Sequence, residues 1–173
     1  MRKTCNYLIL LAFILLFGSC EKADEGPFVE PITVYEKIKG SWVMQSVTME
    51  DRYAMATNAS TEDQNITSLF NFESFTIQFN VDANDNPTTF ETGGNAPELF
   101  LQEGYWDLNS AFPFTGSSSV IIQLFSDAAK GNKVDELVIS NIPGASPLLQ
   151  YRLNRSYNDA VYLSYFYVLK RAN

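Results

Sequence analysis

The chain has 173 residues, of which 46% are hydrophobic, 14% aromatic and 18% charged, with a formal net charge of −8. That length fits one domain, and the composition is too apolar and too sparsely charged for disorder. The acidic balance argues against nucleic-acid binding through phosphate neutralisation. The absence of histidine excludes His-dependent triads and His-bearing zinc sites.

Met1, Arg2 and Lys3 make a short cationic start, and residues 7–17 form an apolar run of eleven. A membrane-spanning helix needs about 20 such residues and a secretory segment about 7–15, so residues 1–19 read as a signal peptide. The run ends Leu16-Phe17-Gly18-Ser19-Cys20, which resembles the lipobox of bacterial lipoproteins. That resemblance implies that Cys20 is diacylated and becomes the mature N-terminus. Residues 20–31 then form a tether. Its Glu21, Lys22, Ala23, Asp24 and Glu25 resemble the acidic export segment of surface lipoproteins in Bacteroides-type bacteria, with a plain solvated linker as the alternative. The resemblance implies an outer-membrane, lipid-anchored, surface-exposed protein. Cleavage removes Cys5, Arg2 and Lys3, leaving no cysteine to pair and 10 basic against 20 acidic residues. So acidic a chain gains little from anionic headgroups, and the acyl chains must supply the membrane attachment.

Residues 32–173 read as one domain. Residues 32–40 predict a short helix, opened after Pro31 and stopped by Gly40, the only helix expected in the mature chain. Residues 42–50 predict the first strand. Phe75, Ile77, Phe79 and Val81 alternate with polar residues, a period of two. Residues 82–87 form a turn, 88–92 a strand, and 99–101 the start of another. Strands follow at 104–108, 120–125 and 137–139, with a hairpin loop at 127–133. Leu149, Tyr151 and Leu153 alternate again, and 161–169 is almost wholly apolar. Seven to nine short strands predict an antiparallel all-β sandwich or barrel, and closure is preferred because open aromatic edges would adhere. Residues 51–65 are left as one extended loop, either functional or an ordinary excursion.

Gly40-Ser41-Trp42 after a short helix, and Leu169-Lys170-Arg171 at the end, resemble the Gly-x-Trp signature and closing basic residue of lipocalins. A second Gly-x-Trp, Gly104-Tyr105-Trp106, is similar to that of lipocalin-like domains of unknown function in Bacteroides-type lipoproteins. The resemblance implies an up-and-down barrel of eight strands with one closed and one open end. It implies no particular ligand. In such a barrel Trp42 plugs the narrow end beside Gly40, with Arg171 across its face. Tyr105 and Trp106 are candidate ligand contacts, although neighbouring strand residues face opposite ways and only one looks inward. The last strand is apolar on both faces. Its outer face is expected to lie under the 32–38 helix, to meet a partner, or to be merely exposed.

No metal, cofactor or catalytic site is expected. Residues 82–86 resemble the start of a calcium loop, but Pro87 stands where the sharp turn needs glycine and Gly93 where a bidentate Glu belongs. Glu73, Asp107 and Glu136 carry no sign of convergence as a catalytic pair. The expected function is non-catalytic binding of a small apolar or saccharide ligand. The alternative is an accessory subunit of an outer-membrane complex acting through the barrel exterior. Small inward residues near the open end would favour the first; a lumen filled by Phe and Tyr would favour the second.

Overall fold

The computed structural model describes residues 30–59, 63–113 and 119–172. Residues 1–19, read as a signal peptide, together with Cys20 and the expected tether residues Glu21, Lys22, Ala23, Asp24 and Glu25, lie outside the described residues. The first element is a short helix, α1 (Val34–Ile38). Its start is fixed by a reciprocal cap: the Thr33 hydroxyl accepts from the Glu36 amide, and the Glu36 carboxylate accepts from the Thr33 amide at 2.6 Å.

Period-two alternation then produces the strands. They are β1 (Gly40–Asp51), β2 (Gln64–Asn65), β3 (Thr76–Val81), β4 (Pro87–Gly93) and β5 (Glu103–Leu108). After these come β6 (Ile121–Phe125), β7 (Lys133–Asn141), β8 (Leu148–Tyr157) and β9 (Ala160–Arg171). β1 and β3 to β9 pair antiparallel in sequence order, and β9 returns to β1 from Trp42↔Arg171 to Asp51↔Leu163. Eight strands therefore close an all-β up-and-down barrel. The two-residue β2 is an annex to β1.

Register settles which side chains look inward, because directly opposed residues share a face. Met44↔Leu169, Val47↔Tyr167, Tyr151↔Tyr167 and Trp106↔Leu124 are all buried pairs of the interior. The outward set of β8 and β9 is also partly covered. Arg152 on β8 stacks over Phe166 at 4.4 Å, and its guanidinium grips Glu50 through two hydrogen bonds of 3.0 and 3.1 Å. Ser164, fully buried, donates to Asn154.

Three expectations need correction. α1 does not cover the outer face of β9. It sits at the barrel end, where Val34 and Ile38 are buried, the Val34 amide donates to the Ala111 carbonyl, and the Tyr35 ring meets Trp106 at 6.0 Å. The element against β9 is a second helix, α2 (Arg52–Ala56), inside the interval read as loop. Asp51 caps it by accepting from the Ala54 amide. Finally, residues 99–101 form no strand: they cross the mouth as a loop with Phe100 buried in the core.

Candidate functional site

The two ends of the barrel are built differently. At the end where the chain enters, Trp42 has no exposed surface, and its indole N–H donates to the Ile38 carbonyl at 2.7 Å. The Arg171 guanidinium lies 4.7 Å from the centre of that indole and donates to the carbonyls of Lys37 and Lys39. Gly40 has φ +103°, and a Cβ there would meet Arg171 Nη1 at 3.0 Å, so glycine leaves both the backbone turn and the guanidinium in place. The sequence brings Gly40, Trp42 and Arg171 together at this closed end. Tyr35 adds a polar clasp: its hydroxyl donates to Asp107 at 3.0 Å, and Lys130 pairs with the other oxygen of Asp107 at 2.8 Å. Burial, then the hydrogen bond to Asp107 and that carboxylate's charge, push the Tyr35 hydroxyl up to about 12.

Tyr105 and Trp106 part company. Trp106 points inward, is fully buried, donates to the Asn80 carbonyl at 2.8 Å and packs on Phe79 with ring centres 5.0 Å apart. Tyr105 points outward and lines a surface recess of about 380 Å³ with Asn80, Thr89, Glu91, Glu103 and Ser126. Glu91 and Glu103 stand directly opposite across the β4–β5 ladder. Gly104 lets the chain pass: a Cβ there would fall 2.4 Å from the Phe125 carbonyl oxygen.

The mouth half of the lumen is filled. Tyr151 stacks on Tyr167 at 4.9 Å, and Phe72, Phe75 and Phe100 meet Tyr167 edge-on or tilted at 5.6–6.5 Å. Phe72 and Phe100 come from loops rather than strands. Full burial raises the Tyr151 hydroxyl well above its ordinary range, and its oxygen has no hydrogen-bond partner.

Above this aromatic layer, at the rim, lies an apolar pocket of about 470 Å³ walled by Met49, Ile66, Leu69, Phe70, Leu99 and Tyr165, with Phe72 among the lining residues. The 66–75 loop supplies four of the nine lining residues and is held down by the Ile66 amide on the Val47 carbonyl and by Thr67 against Val47. Phe70 is 69% exposed and has φ +55°, a left-handed backbone that a bulky residue rarely adopts. Sequence reasoning missed this site because residues 66–74 have no period of two. The available signal was composition: Ile66, Leu69, Phe70 and Phe72 within seven residues of a segment that forms no strand.

The acids read from the sequence do not converge. Asp107 is tied to Tyr35 and Lys130 at the closed end, Glu136 pairs with Lys133, and Glu73 is exposed on the short 3₁₀ turn Phe72–Ser74. Asp82 caps its own turn through the amides of Asn84 and Asn86. Residues 19–170 match the profile of a domain of unknown function (DUF5004). No curated protein and no solved structure matches the chain.

Proposed function

The chain belongs to the DUF5004 family, and from that premise we propose that it is a lipid-anchored envelope lipoprotein whose lipocalin-like barrel is a non-catalytic binding module. The ligand is small and apolar and seats in the rim pocket rather than deep in the lumen. Lipidation of Cys20 and display on the outer membrane rest on the N-terminal sequence. The observation that carries the binding role is Phe70: an aromatic ring kept in solvent on a strained backbone, over a pocket with few polar groups. Strain of this kind costs on the order of 1–3 kcal/mol and persists where a site requires it. Such a pocket works passively, by preformed shape and apolar contact.

One specific observation favours the second reading, an accessory subunit acting through the barrel exterior. Tyr151, Tyr167, Phe75 and Phe100 occupy the lumen, so bulk binding inside the cylinder is unavailable without rearrangement. Native mass spectrometry of the full chain purified from its own envelope separates the two. A co-purifying small molecule that is lost in Phe70→Gly is the expected result. A stable protein partner with no small molecule supports the accessory role, and a bare chain overturns both.

A further inference from the structure

Barrel closure normally removes every sheet edge. Here one seam is incomplete. The β7–β8 ladder runs from Asn141↔Gln150 to Leu137↔Leu153 and stops. β7 continues back to Lys133 along β6, and β8 continues to Tyr157 along β9. Residues 133–136 and 154–157 thus face each other across a gap with no ladder pair among the described residues. The gap is a recess of about 470 Å³ lined by Val134, Glu136, Asn154, Ser156 and Val161 among others.

We propose that this notch receives one extended segment of a partner protein, added as a strand between β7 and β8. The occupant is identified by what surrounds it: two facing runs of strand backbone offer amide and carbonyl groups on both sides, which water satisfies in the free chain and an added strand can bond on both of its edges. The side chains define it further. Asp135 and Arg155 point inward beneath the gap, 3.8 Å apart, and are fastened to the crossing loop by the Leu101 amide and the Leu99 carbonyl. Lys133 and Glu136 neutralise each other on the β7 edge. The register shifts at Leu124/Phe125 and Arg155/Ser156 bend both edges. Inward charges and bulges reject indiscriminate strands. The segment that fits is therefore short and uncharged, with small residues over the Asp135–Arg155 bridge.

The test uses the full chain in detergent and a panel of capped octapeptides alternating threonine or serine with valine. Hydrogen exchange is expected to slow about tenfold at residues 133–136 and 154–157, the change that one or two net hydrogen bonds give. Peptides N-methylated at alternate positions are expected to lose that protection. No slowing with any peptide, equal binding of the N-methylated set, or slowing confined to residues 64–72 overturns the proposal. So does protection of both edges without peptide in a chain that sediments as a dimer, since the occupant is then a second copy.

Discussion

The closed end and the mouth of this barrel solve opposite problems with the same residue types. At the closed end the aromatics that carry a polar atom are each held by a hydrogen bond: Trp42 to Ile38, Trp106 to Asn80, Tyr35 to Asp107. At the mouth the aromatics either pack without a partner, as the Tyr151 hydroxyl does, or stand in solvent. Among the described residues, seven of the nine large exposed apolar side chains gather there, on α2 (Tyr53, Met55), on the 66–75 loop (Leu69, Phe70) and at the rim ends of β7 to β9 (Val134, Tyr157, Tyr162), with only Ile32 and Phe112 beside α1 at the closed end. The difference teaches where stability and function are divided. One end is fastened, and the other is left adhesive.

The sharpest way to break the comparison is Trp42→Ala, expected to cost about 3–5 kcal/mol in urea unfolding, as deletion of a large buried aromatic does. A stability equal to wild type would remove the closed end as the fastening. A second way is alkali. Tyr35 is held neutral in the folded chain, with its folded value of about 12 above the ordinary 10. Its contribution is therefore complete below about pH 10 and is lost as pH rises from about 10 to 12. Tyr35→Phe is expected to flatten the pH dependence of thermal stability in that window.

Arg171→Met is expected to cost about 1–2 kcal/mol, combining a cation–π contact with two hydrogen bonds to carbonyls. Calorimetry should show this as a lowered Tm with unchanged circular dichroism. The smallest effect has the opposite sign. Phe70→Gly is expected to stabilise the chain by about 0.5–1 kcal/mol, since relief of the left-handed backbone outweighs the entropy that glycine adds to the unfolded chain. If that variant is less stable than wild type, Phe70 is a structural residue and the mouth loses its functional mark.

The sequence makes the barrel legible because alternation is local: Phe75 to Val81 and Leu149 to Leu153 announce strands without reference to any neighbour. The first Gly-x-Trp, Gly40 to Trp42, marks the closed end through its resemblance, whereas the second suggests ligand contacts and Trp106 proves to be buried core. The mouth stays hidden because its filling is non-local. Phe72 and Phe100 lie in segments with no strand period, and their burial depends on loops folding back over a lumen that is formed by strands distant in sequence. Residues 99–101 read as a strand from their apolar run alone, when Phe100 is in fact a loop plug. The apolar side of residues 32–38 makes the outer face of β9 one candidate for what that helix covers. A face says that something is covered, not what, and the choice between Trp106 and β9 needs register that a one-residue slip would invert.

The pairing of β1 with β9 has a consequence for biogenesis. Trp42 and Arg171 are partners from the first and last strands, so closure of the cylinder depends on a contact of very long range. Until β9 is available, β1 stays unpaired along that flank. A nonsense codon early in β9 would leave both β1 and β8 as raw borders, and its product would be sticky rather than merely shortened.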